Sequence, residues 1–144
     1  MKLSGHCLCG AVRFTVDGWV SPVQACHAQR CRRATGALYT PEIAVQMDGF
    51  RWLGDVDAIT RYEAPLLHQP PAYRRNFCNR CGSPLPVEAE GYMIVHAGIL
   101  DDTRALHIFR HAFTGQKSDL IDVPVDAEQF AGQPPTPDPS RILP

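Results

Sequence analysis

A basic excess is the first thing that this sequence lacks. Its 144 residues contain 14 Lys and Arg against 15 Asp and Glu, which gives a formal net charge of −1. Proteins that bind nucleic acids or membrane surfaces usually carry a surplus of positive charge. The composition therefore gives no reason to expect either kind of partner.

Long apolar runs are also missing. No window approaches the 18 uncharged apolar residues that predict a membrane-spanning helix. The first ten residues, MKLSGHCLCG, contain Lys2 but not the apolar stretch of a secretory signal. We therefore expect a cytoplasmic protein, and in a reducing compartment clustered cysteines are more often metal ligands or reactive thiols than disulfides. Because the chain has 6 cysteines, an even number, structural disulfides remain the alternative.

Helix signals are few, and short alternating segments take their place. Apolar and polar residues alternate over 12–16 and 43–47, a pattern typical of half-buried strands. Further short strands are predicted at 51–53, 59–62, 73–77, 92–97 and 106–113. We predict an all-β fold, a β-sandwich-like single domain of antiparallel strands stabilised by zinc. Helical turns are expected only at 32–37 and at 125–130, where Asp126 is the capping residue.

The C-terminal end differs in composition from the rest of the chain. Residues 133–144 contain five prolines and few apolar side chains, which favours an extended segment. We therefore assign residues 1–132 to one zinc-binding domain and 133–144 to a proline-rich tail.

Four of the cysteines form two short knuckles, Cys7-Leu8-Cys9-Gly10 and Cys78-Asn79-Arg80-Cys81-Gly82. Two such knuckles supply the four thiolates of a tetrahedral zinc shell. A glycine after each knuckle can adopt positive φ, which turns backbone N–H groups toward the sulfurs. We predict a closed, structural zinc site; four separate core cysteines are the alternative.

The other two cysteines lie in the stretch CHAQRCRR, which begins at Cys26. Cys31 follows five positions later and is itself followed by Arg32 and Arg33. Nearby positive charge lowers the pKa of a thiol and favours thiolate, although a solvated surface turn explains the arginines as well. In an extended chain Cys26 and Ala28 point to one face and His27 to the other, so His27 is aimed away from any metal bound by Cys26.

Four motifs in the same order resemble the glutathione-dependent formaldehyde-activating enzymes, a family grouped with the centromere protein V-like domain. They are GHCLCGAVRF, CHAQRCRRATGA, NFCNRCGSPL and AGILDD…HIF, which run from about Gly5 to about Phe113. The resemblance implies a zinc-rich β fold with two metal sites. The structural site would be Cys7, Cys9, Cys78 and Cys81, and the catalytic site a three-cysteine set of the form C-H-C-x-x-C that leaves one position open for the substrate thiol.

The chain departs from that catalytic pattern at one position. Cys26 and Cys31 match the outer two ligands, but Ala28 stands where the middle cysteine belongs. Several alternatives follow: two thiolates with water on zinc, free thiols, a reversible Cys26–Cys31 pair, or a distant histidine as replacement. The candidate histidines are His6, His68, His96, His107 and His111. Because 107–111 (HIFRH) lacks the glutamate of zinc peptidases, we predict that it is a strand.

The function that the resemblance implies is that of a carbon–sulfur lyase acting on adducts of glutathione with small aldehydes, with Zn²⁺ as cofactor. Cys26 and Cys31 would be the catalytic zinc ligands, and Arg32 and Arg33 would bind substrate carboxylates, whose shape guanidinium matches. The alternative is a non-catalytic, zinc-stabilised binding module with a degenerate second site. A thiol redox protein is a third hypothesis, disfavoured because the spacing is not C-x-x-C.

Overall fold

The structure is a computed structural model that describes residues 1–64 and 73–137. These residues form twelve strands, one seven-residue α-helix and three short 3-10 turns. The helix is α1 (Gln29–Thr35), and the strands are β1 (Lys2–His6), β2 (Val12–Asp17), β3 (Val23–Cys26), β4 (Thr40–Gln46), β5 (Phe50–Gly54), β6 (Ile59–Glu63), β7 (Arg74–Cys78), β8 (Pro84–Leu85), β9 (Val87–Ala89), β10 (Tyr92–His96), β11 (Ile108–Ala112) and β12 (Glu128–Gln129).

The strands are arranged in three sheets. The N-terminal sheet has the order β1-β2-β5, the six-stranded sheet the order β12-β11-β3-β4-β10-β9, and the third sheet the order β6-β7-β8. The predicted all-β class with little helix is confirmed. Most neighbours are antiparallel, as expected, but β11 runs parallel to both β3 and β12.

The main core lies between the N-terminal sheet and the six-stranded sheet. Every second residue of β2 is buried, so the alternation predicted from sequence sets which side faces inward. Phe14 stacks on Phe50 with ring centroids 5.5 Å apart, and both belong to one buried cluster with Ile43, Val45 and Val95. Two sheets packed over one apolar layer give the sandwich-like architecture.

The predicted second helix at 125–130 is wrong. That segment contains β12, whose backbone pairs with β11, and Phe130 N donates to His111 O at 2.9 Å. Asp126 is exposed and caps no helix. The local preference of this segment for helix is weak. Pairing with the open edge of β11 gives its backbone hydrogen-bond partners that a single solvated helical turn would lack.

The predicted helical turn near residue 32 is confirmed as α1, which begins three residues earlier than expected. It ends at Gly36, whose φ of 73° places it in the left-handed region. In the described part of the tail, Pro134 is buried and Pro135 O accepts a hydrogen bond from Arg110 Nη2 at 3.2 Å; residues 138–144, like His68, lie outside the described residues. No helix in the described ranges is long and apolar enough to cross a membrane.

Candidate metal centre and thiol pair

The two cysteine knuckles come from different sheets. Cys7 and Cys9 lie in the turn between β1 and β2, whereas Cys78 ends β7 and Cys81 lies in the turn to β8. Gly10 and Gly82 have φ of 75° and 76°, as the sequence predicted. Their N–H groups donate to Cys7 O and Cys78 O at 2.9 and 2.7 Å, which closes each turn so that its two sulfurs lie on one side. Glycine is needed there because other residues are strained at positive φ.

The four sulfurs meet at one point. All four Sγ atoms lie within 4.8 Å of one another, with Cys7 Sγ 3.5 Å from Cys9 Sγ and Cys9 Sγ 3.8 Å from Cys78 Sγ. A tetrahedral zinc ion with Zn–S bonds of 2.3 Å requires S···S edges of about 3.8 Å. The donor set and the spacing therefore fit one tetrahedral ion.

The pKa is lowered at Cys7 and Cys81, which favours thiolate, the form that binds metal, whereas the pKa of Cys9 is raised to about 11. Val12 N donates to Cys7 Sγ at 3.4 Å. Hydrogen bonds with Ser83 lower the pKa of Cys81 to about 5. Ser83 Oγ also accepts from Leu8 N at 2.8 Å, so one hydroxyl contacts both knuckles and ties them together. The cluster is preorganised to hold a metal ion.

Cys26 and Cys31 form a separate pair where β3 of the six-stranded sheet leads into α1. Cys26 is the last residue of β3 and Cys31 lies in the first turn of α1, with their sulfurs 3.3 Å apart. Ala28, only 2% exposed, packs with both, and Tyr73 and Phe113 cover the group. The hydrogen bond with Cys31 lowers the pKa of Cys26, and the same bond, with burial, raises the pKa of Cys31.

Among the described residues, no third metal-ligating side chain joins this pair. Within residues 1–64 and 73–137, the four-cysteine cluster is the one group of three or more Cys, His, Asp and Glu side chains close enough to share a metal ion. His27 points to the other face of the strand, as predicted: its Nε2 lies 2.9 Å from His111 Nδ1, and its ring packs on Tyr39. The pair therefore does not fit the three-thiolate zinc site that the family resemblance implies.

The two arginines after Cys31 have different surroundings. Arg32 donates from Nη2 to Gln116 O at 2.9 Å, whereas Arg33 is exposed. Arg30, which sequence reasoning passed over, places its guanidinium 5.0 Å from the centroid of the Tyr73 ring and contributes to lowering the pKa of Cys26. The sequence could have indicated this role, because Arg30 lies inside CHAQRCRR, one helical turn from Arg33.

A cavity of about 280 Å³ lies on the sheet face that carries Gln24 and Glu42, bounded on one side by the proline-rich segment 133–137. Arg110 Nε donates to Gln24 Oε1 at 2.7 Å, and Gln24 Nε2 donates to Glu42 Oε1 at 2.9 Å. Burial raises the pKa of Glu42 to about 7. Because Cys26 lies two residues after Gln24 in β3, it belongs to the same face.

Sequence reasoning missed this polar row and the His27–His111 contact. Gln24 and Arg110 are 86 residues apart, and His27 and His111 are 84 residues apart. Each of these residues is unremarkable in its local segment. Only the parallel pairing of β11 with β3 brings them together.

The chain is similar to known proteins in sequence and in fold. The family model described as "Glutathione-dependent formaldehyde-activating enzyme" matches residues 2–116, well over half of the chain. A crystal structure of a Rhodobacter sphaeroides protein, a structural genomics target, is 21% identical and covers 68% of this chain and 87% of its own, with a TM-score of 0.52. That similarity shows a shared fold. No curated protein matches the chain.

Proposed function

This chain belongs to the glutathione-dependent formaldehyde-activating enzyme family, and on that premise we propose that it binds a small thiol metabolite such as glutathione, free or as its adduct with a small aldehyde. One observation favours a binding function over metal-dependent catalysis. Ala28, 2% exposed, occupies the position between Cys26 and Cys31 where a third sulfur would be needed.

The metal in this proposal is structural. Cys7, Cys9, Cys78 and Cys81 would hold one Zn²⁺, because four soft thiolates in tetrahedral spacing select zinc. With all four positions taken by protein, such an ion offers no place for substrate. Its role would be to join β1–β2 to β7–β8, and structural zinc in small modules contributes about 10–16 kcal/mol of apparent binding free energy.

The thiol ligand would lie on the Cys26 side of the six-stranded sheet. Arg33 is exposed on α1, and Arg30 lies one turn before it. Guanidinium groups on one helix face are suited to the carboxylates of glutathione. Arg32 already donates to Gln116 O, so we assign it to fixing the position of α1. The cavity beside Glu42 offers room for the rest of a small ligand.

A second candidate, the carbon–sulfur lyase, is favoured by the family match. In that reaction the thiol sulfur bonds to the aldehyde carbon and the thiol proton passes to the carbonyl oxygen, or the reverse occurs. Since Cys26 and Cys31 do not supply a three-thiolate site, no step is assigned to a metal there. Acceleration would then have to come from orienting the adduct.

Zinc stoichiometry and the rate of glutathione–formaldehyde exchange, both measured on protein purified under reducing conditions, together separate the two candidates. One zinc per chain, binding of glutathione by calorimetry, and no acceleration of glutathione–formaldehyde exchange by NMR support the binding function. Two zinc ions per chain would show that another group replaces the missing cysteine, and would overturn it.

Restoring the missing thiol provides the matched variant. Ala28→Cys should raise the zinc content from about one to about two ions per chain, because three thiolates form an open catalytic-type shell. The control is Ala37→Cys, which adds an exposed thiol just beyond α1. If Ala28→Cys gains neither a second zinc nor activity with glutathione and formaldehyde, the degenerate-site explanation is wrong.

A further inference from the structure

The Cys26 and Cys31 sulfurs lie slightly closer together than the neighbouring sulfurs of the four-cysteine cluster. The cluster has S···S distances of 3.5 and 3.8 Å, near the tetrahedral edge of about 3.8 Å. The Cys26–Cys31 distance is 3.3 Å. The nearby side chains of Ala28, Tyr73 and Phe113 are apolar or aromatic. In residues 1–64 and 73–137 no third metal-ligating side chain joins the pair, so the two sulfurs are placed for contact with each other.

We propose that Cys26 and Cys31 form a reversible intramolecular disulfide by exchange with low-molecular-weight disulfides. A bond requires the sulfurs to approach from 3.3 Å to about 2.05 Å, a shift that side-chain rotation supplies in part. The other four cysteines are gathered around their own site, so each thiol of this pair has the other as its nearest partner. This activity is separate from the proposed binding of glutathione adducts.

The exchange proceeds in two balanced steps. One protein thiolate attacks a sulfur of the small disulfide, which forms a mixed disulfide and releases one small thiol. The second protein thiolate then attacks the protein-side sulfur of that bond, which forms the Cys26–Cys31 bond and releases the second small thiol. The protein pair loses two electrons and two protons, and the small disulfide gains both.

Burial restricts the partner to a small molecule. Cys26 is 4% exposed and Cys31 is 8% exposed, and both lie under Tyr73 and Phe113. A protein disulfide would have to displace these rings to reach the sulfurs. A short peptide disulfide needs to present only one sulfur, so oxidised glutathione is the probe.

The test uses the reduced, zinc-loaded full chain incubated with excess oxidised glutathione. We expect release of about two thiols per chain, a cross-linked Cys26–Cys31 peptide in non-reducing digests, and retention of the zinc. The control, Cys26→Ser with Cys31→Ser, should release thiol at least about tenfold more slowly while keeping its zinc. Each single serine variant should stop at a mixed disulfide with glutathione.

Three results would overturn the proposal. The first is a wild-type chain in which both Cys26 and Cys31 remain free thiols after the incubation, so that an alkylating reagent added afterwards modifies both. The second is thiol release that coincides with zinc loss and with disulfides mapped to the four-cysteine cluster. The third is a second zinc bound between the two thiols of the reduced chain. The first two results follow disulfide exchange and not the reversible binding of reduced glutathione or its adducts, so they are distinguishable from failure of the proposed function; a second zinc would overturn both proposals.

Discussion

At the scale of single residues, side chains of the same type have different roles because their neighbours differ. Cys81 lies among three other sulfurs, and its hydrogen bonds with Ser83 lower its pKa to about 5. Cys31 is buried beside one other thiol, and its pKa is raised. The sequence predicted the four-cysteine site because short knuckles with glycine impose a local geometry. It did not predict Glu42, whose partners come from distant strands.

Replacing Cys78 with Ser should abolish zinc binding and folding. The hydroxyl is a poor zinc ligand, and structural zinc in small modules contributes about 10–16 kcal/mol, as much as the whole stability of a small domain. Circular dichroism and zinc analysis check this. Cys26→Ser, which leaves the cluster intact, should keep its zinc. A Cys78→Ser protein with unchanged melting temperature would contradict the structural role of the site.

Glu42→Gln should flatten the pH dependence of stability. The carboxyl has an ordinary pKa of 4.5 when unfolded and about 7 when folded, so the folded chain binds more protons between these values. Stability present below about pH 4.5 is therefore lost as pH rises to about 7. At pH 8 the variant should be more stable by about 1–3 kcal/mol, measured by urea unfolding at several pH values. Exposed Glu88→Gln is the control, and an equal response of both variants would contradict the assignment.

At the scale of elements, local pattern predicted most strands but not the edge of the six-stranded sheet. Alternation in β2 follows directly from having one face in the core, whereas β4 buries Ile43, Ala44 and Val45 in succession. The segment at 125–130 has a capping residue and too few residues for a stable helix, so pairing with β11 determines its structure. Helix α1 begins without a side-chain cap at Ala28, which explains why its start was predicted too late.

The C-terminal end of α1 depends on Gly36. Its φ is 73°, and a Cβ there would meet no atom within 4 Å, so Gly36→Ala would be strained by backbone conformation alone. We expect a loss of about 1–2 kcal/mol in unfolding free energy. Gly98→Ala is the matched control, since it also has open space but no positive φ. Equal effects of the two substitutions in denaturant unfolding would show that backbone strain is not the cause.

At the scale of the whole molecule, two long-range connections hold the sheets in place. The knuckles join the N-terminal sheet to the third sheet, and the parallel pairing of β11 with β3 assembles the Gln24–Glu42–Arg110 row. The described part of the tail is attached to the Gln24–Glu42–Arg110 row, because Arg110 also donates to Pro135 O.

Truncation after residue 132 should leave the zinc-binding domain folded. We expect unchanged zinc content and a loss of about 1–2 kcal/mol, because the Arg110–Pro135 hydrogen bond and the burial of Pro134 are removed. Thermal unfolding and zinc analysis of the shortened chain measure both. Loss of zinc on truncation would show that residues 133–144 belong to the domain.

The sequence by itself determined the all-β class, the four-cysteine site and the family, because these depend on short-range spacing: alternation with period two, knuckles of three and four residues, and motifs in order. Tertiary structure alone decided what surrounds Cys26 and Cys31. Whether a ligand replaces the missing sulfur at Ala28 depends on which distant side chains reach it. In the described chain Tyr73 and Phe113 pack against the pair, and no third Cys, His, Asp or Glu joins it. The same holds for the row beside the cavity, since the pairing of β11 with β3 joins residues more than eighty positions apart.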